Sequence, residues 1–430
     1  MKKLLFIILC VILSLDITSC NRKSREIVIG LNYEGSGTLA PYGKAILWGA
    51  ELAVEEINAL GGVDGHTIRL EKADNRSIGS DSASAVLYLK SVKKADVIIG
   101  PSTSTLAKAA LSAGAGVLII SPSATADSLT RSVTPFARQG NIIFTEGASV
   151  KNEVDSLTFR SQLSPFFSTI ALPLSATGSG RALSIICRRQ HSFSQSENIV
   201  SSNARTSFLR LCFSDSVQGS AMGAYATAQG FKKSAVLVDM SSDYSVGCAS
   251  AFRSAFSGEI VFEGRFFAGD TDFSALVTEL SKTDFDCIYL PAYYTEAGLI
   301  IRQSREQGID KTFLGGDAMD SPYLADIIGK PEYIHSITYT DHFSQSDEAY
   351  KTFAQQFFDR FGENPHTYSA LAYDSVMLYC ETLRKIGVEN IQNVENALFN
   401  TDSFQGVTGK ITIKENGDCE KQPVFVSLFE

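Results

Sequence analysis

The feature that most constrains this chain is an alternation: short apolar runs able to form strands are separated by stretches of helical periodicity, and the series occurs twice. Residues 26–31 (EIVIGL) read as a buried strand, and 45–59 put Leu47, Ala50, Val54 and Ile57 on one helical face before Gly61 and Gly62 stop it. A strand over 66–71, a helix over 81–93, a strand over 97–99, a helix over 106–113 and a strand over 117–120 follow. The second series runs helix 217–230, strand 235–238, helix 245–256, strand 260–266, helix 273–281, strand 287–290, helix 296–308 and strand 312–314. Strands that are apolar throughout belong to parallel sheets covered by helices on both faces. The expected fold is therefore α/β, with two doubly wound parallel-sheet lobes.

In such sheets ligands bind beyond the carboxyl ends of the strands, so the loops there carry the functional information. After 97–99 comes Gly100-Pro101-Ser102-Thr103-Ser104-Thr105, and after 117–120 comes Ser121-Pro122-Ser123-Ala124-Thr125. Both loops offer hydroxyls and backbone N–H groups, and the first opens a helix whose N-terminus favours an anion. A carboxylate fits that chemistry. The same residue types also serve as caps and turns; two such loops on neighbouring strands shift the balance towards a binding site.

At the N-terminus Lys2 and Lys3 precede an apolar run over 4–15, too short to span a bilayer and read as the core of a signal peptide. The run closes on Ile17-Thr18-Ser19-Cys20, which resembles the lipobox of bacterial lipoproteins. That resemblance implies acylation of Cys20 and membrane attachment without a spanning helix. With 44% hydrophobic and 20% charged residues in 430, the chain is long and apolar enough for about two domains. A net charge of −9 argues against nucleic acid as a partner. Beyond Cys10 and Cys20, Cys187, Cys212, Cys248, Cys287, Cys380 and Cys419 lack metal-ligand spacing. They are expected mostly as small buried hydrophobes, with room for one disulfide in an exported protein.

The stretch GAELAVEEINALGGVDG at 49–65, then IIGPSTS and ISPSAT, is similar to the leucine/isoleucine/valine-binding family of periplasmic proteins. GDTDFSALVTEL at 269–280, LPAYYTEAGLIIRQSREQGI and FLGGDAMDSPYL continue the likeness in the family's order. The resemblance implies a type I periplasmic binding protein fold whose chain crosses between lobes three times and holds its ligand in the cleft. It places an α-carboxylate at Ser104, Ser123 and Thr125, with Thr105 beside them, and an ammonium at Asp317. Tyr42, Tyr244 and Tyr293 would close the pocket, with Tyr294 a neighbouring possibility. It further implies a monomer without cofactor, exported and lipid-anchored, that delivers a small amino acid to the permease subunits of an ABC importer. The same clamp also suits a sensory component serving a receptor, or a binder of a neutral amide or urea-like solute.

The expected divisions are a signal peptide over 1–19, a tether over 20–25, and the N-terminal lobe over 26–129, 206–213 and 341–406. The C-terminal lobe takes 214–340 and a tail over 407–430. Residues 130–205, rich in serine, arginine and threonine, are expected as an atypical, disordered insertion. Enzyme motifs are missing: there is no GxSxG, HExxH or CxxC, and 37–44 fails as a P-loop because its spacing is one residue too long and Ala45 replaces the hydroxyl. His66, His191, His335, His342 and His366 are scattered and read as surface or loop residues.

Overall fold

The computed structural model describes residues 25–114, 116–130 and 207–428. The segment expected as a signal peptide, Cys20, Cys187, His191 and the part beyond Thr130 of the stretch 130–205 expected as an insertion lie outside the described residues. Strands β1 (Ile27–Tyr33), β2 (Ile68–Asp74), β3 (Val97–Ile99), β4 (Leu118–Ser121) and β5 (Phe208–Arg210) form one sheet in the order β2-β1-β3-β4-β5. Every pairing in it is parallel. Its two faces follow from the period of two along each strand. Val28, Ile98 and Ile119 pack under helices α2 (Gly79–Ser91) and α3 (Ser104–Ser112), through Val86, Leu89 and Ala107. Ile27, Ile29, Leu31 and Ile99 point to the opposite face, where helix α1 (Ala40–Ala59) supplies Ile46, Ala50, Ala53 and Ile57. Each such valine, leucine or isoleucine removed from water contributes about 1.5–3 kcal/mol.

Leu211 to Ser214 carry the chain into a second lobe. Strands β6 (Lys233–Asp239), β7 (Glu259–Phe266), β8 (Cys287–Tyr289), β9 (Thr312–Gly315) and β10 (Ile337–Asp341) are its parallel body, in the order β10-β9-β8-β6-β7. Helices α4 (Asp215–Ala228) and α5 (Asp243–Ala255) cover one face through Met222, Ala226, Cys248 and Phe252. Helices α6 (Ser274–Leu280), α7 (Tyr294–Glu306) and α8 (Leu324–Ile328) belong to the other face, with Val277, Ile300 and Leu324 buried there.

After β10 the chain returns: α9 (Glu348–Phe361), α10 (Thr367–Ile386) and α11 (Val394–Leu398) follow, and α10 runs against α1 in the first lobe. The two helices meet at Gly49, where a Cβ would stand 2.0 Å from the Ser369 carbonyl oxygen, so only glycine permits that approach. A hairpin of β11 (Phe404–Gly406) and β12 (Gly409–Ile411) packs by α10, and β13 (Val424–Ser427) joins the second sheet antiparallel to β10. Among the described residues the chain thus crosses three times. The last crossing comes later than position 407, because Gly417 and Asp418 still bond to Arg210 of β5. Cys212, Cys248, Cys287, Cys380 and Cys419 are all buried and unpaired, which corrects the disulfide expectation for the described cysteines.

Candidate ligand-binding site between the lobes

The two serine-rich loops lie side by side beyond β3 and β4 and are stitched together. Ser121 Oγ donates to the Pro101 carbonyl (2.7 Å), and Ser123 Oγ donates to the Ser102 carbonyl (2.8 Å). Ser104, the first residue of α3, accepts the Ala126 N–H at its Oγ (3.0 Å) and keeps its own proton to donate. Ser123 has already committed its hydroxyl proton, so it can serve an anion only through its backbone. Thr125 is buried, its carbonyl holding the Asp215 N–H at 2.9 Å. Thr105 is exposed on the first turn of α3 and does not join the others. Two further members of the same hydroxyl run stand ready for a ligand: Ser102 Oγ and Thr103 Oγ1 are buried with no hydrogen-bond partner among the described residues.

Across the cleft, Asp317 follows β9 and the pair Gly315-Gly316. A Cβ on Gly316 would fall 2.1 Å from the Tyr244 hydroxyl, so the glycine lets Tyr244 reach this loop. Asp317 is buried; its Oδ2 accepts from His342 Nε2 at 3.0 Å and from the Tyr368 hydroxyl at 3.1 Å. Its Oδ1 has no partner among the described residues. Burial holds the His342 imidazole below its usual pKa, outweighing the opposing pull of Asp317, so the ring is a neutral donor through Nε2. The ring also lies 4.0 Å, centroid to centroid, from Phe213. His342 is therefore a buried loop residue of the cleft, which corrects a surface reading of it; His66, His335 and His366 are partly exposed.

Tyrosines wall the site. Tyr244 lies 5.5 Å from Tyr293, Tyr293 6.1 Å from Tyr42, and Tyr42 5.3 Å from Tyr294 and 5.2 Å from Tyr368. Burial pushes the phenols of Tyr42, Tyr244, Tyr293 and Tyr368 well above their usual pKa, so all four act as neutral hydrogen-bonding groups. Several contacts join the lobes directly. The Tyr42 hydroxyl donates to the Ala318 carbonyl (2.6 Å), that of Tyr294 to the Thr38 carbonyl (3.1 Å), and Lys108 pairs with Asp243 (2.8 Å). His366 caps α10 by accepting the Tyr368 N–H at Nδ1, so its Nε2 donates to the Asp320 carbonyl at 2.5 Å. Thus Tyr42, Ser104, Ser123, Thr125, Tyr244, Tyr293 and Asp317 come from both lobes to one cleft. Tyr294 makes the closer contacts with Tyr42.

Among the described residues no group of metal-ligating side chains gathers, and no helix is long and apolar enough to cross a membrane. A family model described as "Periplasmic binding protein" matches residues 26–157 and 169–426. The chain belongs to the periplasmic binding protein family. The match leaves out only 158–168 between its two parts, so it extends through much of the stretch that sequence reasoning set apart. Among the binding protein's relatives is LivJ of Streptococcus pneumoniae, the substrate-binding protein of a branched-chain amino acid transporter, solved with isoleucine. LivJ is 32% identical, with 94% of this chain and 96% of LivJ covered and a TM-score of 0.73. The Leu/Ile/Val-binding protein homolog 1 of Brucella abortus is 25% identical over 93% of this chain and 89% of its own length. The leucine-binding protein LivK of Thermotoga maritima shares the fold at a TM-score of 0.71, with 24% identity and 93% and 94% of the two chains covered. These named relatives are binding proteins, and the architecture of LivJ and LivK is the one found here.

Proposed function

We propose that this periplasmic binding protein captures a branched-chain or closely related α-amino acid between its lobes and delivers it to the permease subunits of an ABC importer. The observation that carries the reading is opposition across the cleft. On one side stand the N-terminus of α3 and the hydroxyls of Ser102, Thr103 and Ser104. On the other, Asp317 turns two donors onto Oδ2 and keeps Oδ1 unpartnered. A zwitterion matches that polarity: its carboxylate takes the N–H and O–H donors near Ser104, Ser123 and Thr125, and its ammonium takes Asp317. Tyr42, Tyr244 and Tyr293 supply apolar area with polar edges for the rest of the molecule. LivJ, solved with isoleucine, supports the ligand class. Calorimetric titration of residues 26–430 with L-isoleucine, L-leucine and L-valine should give saturable one-to-one binding. Absence of heat with all three, alongside saturable binding of a neutral amide or urea, would replace the ligand class.

The finer reading places the protein outside the cytoplasm, held on a membrane by acyl chains on Cys20. The lipobox-like Ile17-Thr18-Ser19-Cys20 motivates it. Cys20→Ala should move the protein out of the detergent phase in phase partitioning; unchanged partitioning removes the anchor.

A further inference from the structure

The second pocket loop is shaped by a residue that sequence reading left unassigned. Arg210, at the end of β5, is fully buried, and a buried guanidinium persists only where its donors are matched. Its Nε and Nη2 stand 2.8 and 2.7 Å from Asp418 Oδ1, and Nη2 also donates to Thr130 Oγ1 at 2.8 Å. Its Nη1 donates to the carbonyls of Ala124 (3.1 Å) and Ala126 (3.0 Å). Those carbonyls flank Thr125. With the Thr125 carbonyl held by the Asp215 N–H and the Ala126 N–H held by Ser104 Oγ, the backbone around Thr125 is anchored at every peptide group from 124 to 126. The Arg210 N–H bonds the Gly417 carbonyl (3.0 Å), so the same residue grips the segment that precedes the last crossing to the second lobe. Burial alone would raise the Asp418 carboxyl, yet Arg210, Thr130 and Asn416 hold it below its usual range.

We propose that Arg210 is the positioning residue of the carboxylate-binding loop: its planar fork fixes the Ala124 and Ala126 carbonyls so that Thr125 faces the ligand, and Asp418 fixes the fork. The proposal rests on the carboxylate reading of Ser104 and Thr125. A lysine keeps the charge but has no fork to span both carbonyls while paired with Asp418. Titration of Arg210→Lys with L-isoleucine and with L-isoleucinamide, well below the thermal midpoint, should show isoleucine affinity falling about tenfold. The affinity ratio of acid to amide should fall with it, whereas a merely loosened fold weakens both ligands alike. Asp418→Asn, which keeps shape and removes the charge holding Nε and Nη2, should move the ratio in the same direction and decides the matter if the lysine variant does not fold. An unchanged ratio in the folded variants overturns the positioning role. Thr125→Val separates the two claims: if it binds isoleucine as tightly as the native chain, the carboxylate reading itself fails. If it weakens binding while Arg210→Lys does not, only the Arg210 proposal fails.

Discussion

Glu34 shows how one buried side chain can set the behaviour of a strand-end loop. It follows β1, is fully buried, and accepts the Ser102 N–H at Oε1 (3.1 Å), which ties the first pocket loop to the first strand. Burial raises its pKa from 4.5 to about 7, against hydrogen bonds that act in the opposite direction. A carboxyl with a raised folded-state pKa holds its proton in the native chain and releases it in the unfolded one between those values. Its contribution to stability is thus fully present below about 4.5 and is lost as pH rises through about 7. The shift corresponds to about 3 kcal/mol. Urea unfolding from pH 4.5 to 7.5 should therefore show the native chain losing about that much stability relative to Glu34→Gln, which has no proton to lose. Parallel stability curves for the two proteins would show that the Glu34 pKa is the same in the folded and unfolded chains.

Most elements were legible as periodicity, because a strand buried on both faces and a helix with one apolar face leave different spacings in the sequence. Strand β3 falls on the expected 97–99, and β1, β2, β4 and β6 to β9 begin or end within a few residues of expectation. Helix α1 starts at Ala40 rather than 45, since Pro41 suits a first helical turn, where its missing N–H costs nothing. The antiparallel β13 was not legible: its four residues gain their partner only from β10, 83 to 89 positions earlier. The site divides in the same way. Ser104, Ser123, Thr125 and Asp317 all sit just beyond the ends of strands, where topology alone marks them. His342, Tyr368 and Arg210 act through partners 25, 51 and about 85 positions away. Nothing local in the sequence distinguishes them from core residues.

At the scale of the whole molecule, the lobes are closed on each other, with Tyr42, Tyr294, Lys108 and His366 bonding across. A ligand favours that state only through contacts it makes with both lobes at once. Asp317 tests this most directly. Asp317→Asn keeps the shape and can still accept from His342 and Tyr368 through one oxygen, but it turns a neutral amide towards the ammonium in place of a charge. Calorimetric titration of the native and Asp317→Asn proteins with L-isoleucine and with its deaminated analogue, 3-methylpentanoate, is the decisive measurement. The expected result is a loss of about 3 kcal/mol for isoleucine, roughly two orders of magnitude in Kd, with binding of the analogue unchanged or improved. Isoleucine bound by Asp317→Asn as tightly as by the native protein would contradict the account and leave the clamp to a ligand without an ammonium group.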